Sequence, residues 1–199
     1  MPALMVVAHP DDELIFGGDV LLDPAFQWHV VVVTGASPRA RFALDQFTDT
    51  RFREFEACAH ALQFEGRVWD HEDFPLNFRT MDTERLHHQL ARLLTERPWR
   101  RIITHNAEGE YGHTQHRQVH RSVRRAWEEA AGDVPALEVF ALDKDAPECS
   151  ERKQDLCRTL YPSQQGAFRS HAAWVRHGRA ALALPARNTS SPSPGARAG

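Results

Sequence analysis

Short runs of apolar, β-branched residues alternate with longer stretches of helical spacing along this chain, and that alternation restricts the fold more than any other feature. The clearest run, His29-Val30-Val31-Val32-Val33-Thr34, ends at Gly35 and reads as a strand. Ala3–Ala8, Arg67–Trp69, Arg101–His105 and Leu137–Leu142 are further strand candidates. Between them lie helical patterns. A short one runs from Glu13 to Leu22, where Gly17-Gly18 would let it sit close to a sheet. Thr50 to Gln63 has Phe52, Phe55, Ala59 and Leu62 in phase, and Thr83 to Glu96 has Leu86, Leu90, Leu93 and Leu94, stopped by Pro98. Thr114 to Ala131 follows, and Cys149 to Leu160 is the last firm helix expected. Ala36 to Asp49 reads as a loop or lid.

Strands and helices in strict alternation need crossover connections, so the expected class is α/β with a mainly parallel sheet. The 199 residues suit one domain with its own core, over 1–184. Pro185 to Gly199, rich in Pro, Ser, Ala and Arg, reads as a disordered tail. A formal net charge of −3 gives no field for nucleic acid or an anionic membrane. Cys58, Cys149 and Cys157 are odd in number and lack CxxC spacing, which argues against a disulfide framework and a thiolate zinc site. With no secretory pattern and no apolar run of membrane-spanning length, the expected location is cytoplasmic, without a membrane span.

In parallel sheets ligands gather at the C-terminal ends of the strands, and two polar loops fall there. His9-Pro10-Asp11-Asp12-Glu13 follows the first strand and packs three carboxylates beside one imidazole. Like charges so close repel, and a divalent cation would relieve them. A solvated acidic turn, with Asp12 capping the next helix, fits this loop alone equally well. The second loop, Gly109-Glu110-Tyr111-Gly112-His113-Thr114-Gln115-His116, sets His113 and His116 three apart at a helix start, with His120 on the same face. Together the loops offer two His and a carboxylate with an open position, the donor set of a catalytic zinc site.

These residues resemble the LmbE-like, or PIG-L, N-acetylglucosaminyl deacetylases. Ala8-His9-Pro10-Asp11-Asp12-Glu13 matches the first signature of that family and Gly-Tyr-Gly-His-x-x-His the second. Thr34-Gly35 and Arg51-x-x-Glu54 keep the family's order, and the likeness runs from Leu4 to about Ala126. The resemblance implies a Rossmann-like fold with a mononuclear centre, zinc or alternatively ferrous iron. His9, Asp12 and His116 would be the metal ligands. Asp11 would be the general base toward the metal-bound water, His113 the acid that stabilises the oxyanion and protonates the leaving amine, and Tyr111 the polarising group on the acetyl carbonyl. The substrate would be a small GlcNAc-containing molecule, with homo-oligomerisation left open. Other amides or esters, and a non-catalytic sugar- or metal-binding relative, are the alternatives.

One departure stands out. The family commonly has His-Pro-Asp-His where this chain has His113-Thr114-Gln115-His116. If the usual Asp supports the acid histidine, Gln115 removes that support, unless Glu108 or Glu110 compensates. Arg51 is a candidate substrate contact, or else a surface partner of Glu54. His105 and Asn106 could support the site or be plain loop residues. His87-His88 reads as a solvated face, and His60, His71, His171 and His177 as structural or exposed. Tyr161-Pro162-Ser163-Gln164 is a candidate loop over the cleft. Thr34-Gly35-Ala36-Ser37 lacks the glycine pattern of a dinucleotide site.

Overall fold

The computed structural model describes residues 1–35, 41–72, 81–145 and 147–184, with side chains of the second helix described from Thr50 onward. The elements, in order, are β1 (Pro2–Val7), α1 (Asp12–Leu21), β2 (Gln27–Thr34), α2 (Arg41–Leu62), β3 (Glu65–His71), α3 (Thr83–Thr95), β4 (Arg101–Thr104) and α4 (Thr114–Glu129). Then come β5 (Leu137–Leu142), α5 (Glu151–Leu160), a 3-10 turn (Pro162–Gln164), α6 (Gln165–Ser170), α7 (Ala172–His177) and β6 (Gly178–Leu184). They form a single α/β domain around one six-stranded sheet of order β3-β2-β1-β4-β5-β6. β1 to β5 are parallel, and β6 runs antiparallel to β5 at the edge.

The pleat of β1 shows why both its faces are apolar. Ala3, Met5 and Val7 enter one core with residues of α1, α2 and α5, whereas Leu4 and Val6 enter another with Leu86, Leu90 and Leu93 of α3 and Val119 and Val123 of α4. The sheet therefore lies between two helical layers. Gly17 is where α1 meets it: a Cβ there would stand 2.7 Å from Met5 Cε and 3.0 Å from a ring carbon of Phe140.

Three sequence expectations need correction. The helix expected from Thr50 starts at Arg41, because nothing between Arg41 and Leu62 is Gly or Pro to break it; the rest of the expected lid, Ala36 to Ala40, lies outside the described residues, as does the tail from Pro185. Leu160 is not the last element. The two six-residue helices are too short to show a period, and β6, Gly-Arg-Ala-Ala-Leu-Ala-Leu, is rich in Ala, a poor strand former. Finally, His87 is buried and pairs with Glu129 at 2.9 Å, so only His88 keeps the solvated position. No helix among the described residues is long and apolar enough to cross a membrane.

Lys153 on α5 is fully buried, with Trp174 O at 3.3 Å and Cys149 Sγ at 3.8 Å from its Nζ. Burial pushes its pKa below the ordinary 10.5, the sulfurs and Asp19 only partly opposing. The unfolded chain therefore binds this proton more tightly, and stability rises with pH from the folded-state pKa up to 10.5. Lys153→Met should gain about 1–3 kcal/mol at neutral pH, and that gain should shrink as the wild type is titrated toward the lysine range. Denaturant unfolding at both pH values checks this; parallel pH profiles for the two proteins would refute it.

Candidate metal centre and active site

The strand order reverses at β1, whose neighbours are β2 and β4, and the crevice at such a switch point takes the ligand in open α/β sheets. Both loops singled out by sequence open there. Ala8 O accepts from Thr34 N (2.9 Å) and Oγ1 (2.8 Å), pinning the end of β1 to β2. Thr104 Oγ1 donates to Val6 O at 2.9 Å, pinning β4 to β1 from the other side.

His9, Asp12 and His116 meet in this crevice, all buried. Each imidazole has its hydrogen placed by a partner behind it. Gln115 Nε2 donates to Glu72 O (3.0 Å), which leaves Gln115 Oε1 to accept from His9 Nε2 at 2.8 Å. Glu110 Oε2 accepts from His116 Nδ1 at 2.6 Å. The opposite nitrogens, His9 Nδ1 and His116 Nε2, then turn their lone pairs into the crevice 3.3 Å apart. Asp12 Oδ2 completes a triangle, 3.2 Å from His9 Nδ1 and 3.4 Å from His116 Nε2. Three acceptor atoms thus converge, Asp12 Oδ2 also accepting from His9 N at 2.7 Å, and a cation would stabilise them. Zinc with ligands at about 2.0–2.1 Å in tetrahedral geometry needs donor atoms about 3.3 Å apart, so the donor set fits such an ion. Burial holds His116 down at about 3, with His105 adding to the effect, so its imidazole is neutral as a ligand must be. Asp12 stays well below its usual carboxylate range despite burial, and its Oδ2 accepts from His9 N.

Asp11 stands beside the triangle rather than in it. It is the residue before α1, with φ 109°, and its side chain makes no capping bond to that helix. Such a backbone persists only where surroundings enforce it. Here Asp11 N donates to Glu13 Oε2 (3.0 Å), and Arg51 Nη2 donates to Asp11 Oδ1 (3.2 Å) and Pro10 O (2.8 Å). Burial, aided by Asp12 and opposed by Arg51, raises Asp11 to about 6. Glu13 turns beneath the loop, where the buried Tyr161 hydroxyl donates to it; burial pushes it up to about 8.

The second loop is held by Glu110. Its side chain is fully buried, Oε1 accepting from Asn106 N (2.8 Å) and Oε2 from both His105 Nδ1 (2.9 Å) and His116 Nδ1. Burial raises Glu110, but His105 and His116 outweigh it and bring it to about 2. Glu110 and Asp12 overcome burial to favour a charged His105, raised to about 9. Yet Ala8 N donates to His105 Nε2 at 2.9 Å, which requires a lone pair there. The amide is fixed by β1, so the neutral tautomer with hydrogen on Nδ1 is the one consistent with this geometry. Gly109 (φ +69°) permits the tight turn before His113: a Cβ there would lie 2.5 Å from His113 O. His113 precedes α4, its ring 4.8 Å from His9 and 4.5 Å from His116. Tyr111 is 49% exposed at the mouth, and burial together with Asp12 and Asp11 raises its phenol.

The crevice thus gathers every residue singled out from sequence, His9, Asp11, Asp12, Arg51, Tyr111, His113 and His116. It also corrects four expectations. Gln115 backs His9 rather than His113. Arg51 reaches Asp11, while Glu54 accepts from the N–H and hydroxyl of Ser163. Tyr161 lies under the first loop and not over the cleft, since a fully buried phenol needs a partner and finds Glu13. His171, expected to be structural or exposed, stacks on Tyr111 at 4.2 Å. His120 donates to His105 O at 2.7 Å and so braces the end of β4.

Among curated proteins the chain is 35% identical over 122 residues to an uncharacterized protein of Acanthamoeba polyphaga mimivirus, covering 58% of this chain and 53% of that one. It is 31% identical over 156 residues to the 1D-myo-inositol 2-acetamido-2-deoxy-α-D-glucopyranoside deacetylase of Thermobifida fusca, covering 64% and 54%. The chain thus spans about half the length of the curated relatives it matches. Among solved structures, the N,N'-diacetylchitobiose deacetylase of Pyrococcus horikoshii superposes with a TM-score of 0.65 at 15% identity, over 91% of this chain and 84% of that one. At that identity the likeness is one of fold. The family described as PIG-L, GlcNAc-PI de-N-acetylase, matches residues 4–127, and with both of its polar loops inside that span this chain belongs to it.

Proposed function

We propose that this chain is a metal-dependent amidohydrolase that removes the acetyl group from an N-acetylglucosamine-containing small molecule, with zinc as the metal and ferrous iron as the alternative. The observation that carries this reading is the convergence of acceptor atoms from His9, Asp12 and His116 within 3.2–3.4 Å of one another, with a further carboxylate, Asp11, beside them. When bound, the metal supplies Lewis acidity and a nucleophile at neutral pH.

The chain's own residues account for the rest. Asp11, held by Arg51 and raised toward neutrality, accepts the proton of the attacking water. His113, whose ring lies beside those of both His9 and His116, donates a proton to the departing amine, which an amide needs to break. Tyr111 directs its hydroxyl to the acetyl carbonyl as negative charge develops, a contact worth roughly 3 kcal/mol. Arg51 is the candidate contact for a substrate hydroxyl. Gln115 holds His9 in its metal-binding tautomer, which supports an intact centre over a non-catalytic relative.

A chelator should abolish acetate release from N-acetylated amino-sugars, and added zinc or ferrous ion should restore it. Undiminished turnover by metal-free protein would overturn the mechanism. With zinc bound, no acetate from any member of a panel of free, glycosidic and nucleotide-linked N-acetyl sugars would instead favour another amide or ester as substrate.

A further inference from the structure

Tyr111 has no regular element to hold it. It sits between Glu110 (φ 57°) and Gly112 (φ 96°), both left-handed, in the turn before α4. Its ring is placed by side chains alone. His113 and His116 present edges at 5.7 and 5.5 Å, and Phe16 lies parallel at 6.5 Å. The nearest ring is that of His171, parallel within 22° at a centroid distance of 4.2 Å. His171 comes from the junction of α6 and α7, beyond the residues 4–127 that match the family.

Its own placement is fixed. His171 N donates to Ala167 O at 2.9 Å, and His171 O accepts from Trp174 N and Val175 N at 2.9 and 3.1 Å. Trp174 in turn packs edge-on against Phe16 at 5.3 Å. Tyr111 also lies 5.5 Å from the ring of His116, so the stacked pair lies on the metal side of the mouth.

We propose that His171 is a positioning residue for Tyr111: the C-terminal segment supplies the ring that fixes the phenol over the reacting amide. This role rests on the deacetylase reading for its kinetic effect, though not for the contact itself. A flat stacked neighbour restricts the phenol to a narrow range of tilt, and a displacement of about 1 Å in such a group costs on the order of 10²-fold in rate.

The kinetic test uses His171→Ala, His171→Phe, Tyr111→Phe and the Tyr111→Phe/His171→Ala double variant on the N-acetyl sugar that the wild type turns over. His171→Ala should lower kcat about 10- to 100-fold with KM nearly unchanged. His171→Phe, which keeps a flat ring, should recover most of that loss. The double variant should be no slower than Tyr111→Phe alone, because a residue acting through Tyr111 has nothing left to position. Losses that multiply, or wild-type kcat in His171→Ala, would overturn the proposal.

A second arm needs no turnover. The chain has two tyrosines, Tyr111 and the buried Tyr161, so fluorotyrosine labelling gives two fluorine resonances. His171→Ala should move the Tyr111 resonance and leave that of Tyr161, while His171→Phe should keep it displaced from the free-tyrosine position. A Tyr111 resonance indifferent to His171→Ala would refute the positioning contact. A responsive resonance without acetate release in the wild type would sink the deacetylase reading and leave the contact standing.

Discussion

Asp11→Asn should keep a full complement of metal and lose about 10²- to 10⁴-fold in kcat, with KM little changed. The substitution removes basicity and little else. Asn keeps a side-chain oxygen that can accept from Arg51, as Asp11 Oδ1 does at 3.2 Å. It is also among the residues most tolerant of positive φ, so the backbone at 109° is no obstacle to folding. Asp11 Oδ1 is turned to Arg51, while the metal-side acceptor is Asp12 Oδ2. Metal content by elemental analysis, read beside kcat, separates the two carboxylates. Loss of metal in Asp11→Asn, with metal retained in Asp12→Asn, would show their roles to be reversed.

That His9, Asp12 and His116 would meet could be anticipated from the sequence, because they sit in two short motifs, each at the C-terminal end of a buried strand, and the family resemblance set them apart as proposed ligands. The alternation of β-branched runs and helical spacing was enough to bring those ends together. The residues behind the ligands were not legible. Gln115 faces His9 across 106 positions, and Tyr161 reaches Glu13 across 148. No local spacing signals such pairs. Gln115 shows how this misleads: two positions after His113 in sequence, it invites the inference that it serves His113, yet its helix directs it to the other loop. His105 had a signal in its place at the end of β4, but its partner, the N–H of Ala8, lies just past the end of β1. The C-terminal segment was hidden for another reason. Its helices have fewer than two turns and its strand is built of alanines, so only tertiary packing against β5 and α1 gives it shape.

The same logic makes Glu110 the most consequential residue outside the ligand set, and Glu110→Gln should lower metal affinity about 10- to 100-fold. Glu110 faces three donors: Asn106 N–H at one oxygen, and the Nδ1 hydrogens of His105 and His116 at the other. A carboxylate accepts all three. An amide of the same shape has one oxygen, and its NH₂ must face either the fixed Asn106 amide or the two imidazoles. Turned to the imidazoles, it forces His116 to carry its hydrogen on Nε2, the atom that points into the triangle. Turned to Asn106, it leaves a buried N–H against a donor, at a cost of about 1–3 kcal/mol in stability. Either way the centre suffers through a residue outside the proposed ligand set. Glu108→Gln is the control, since Glu108 is exposed two positions away and should bind metal as the wild type does. Zinc titration against a competing chelator, with denaturant unfolding of the metal-free proteins, measures both effects. Wild-type affinity in Glu110→Gln would mean that His116 keeps its tautomer unaided.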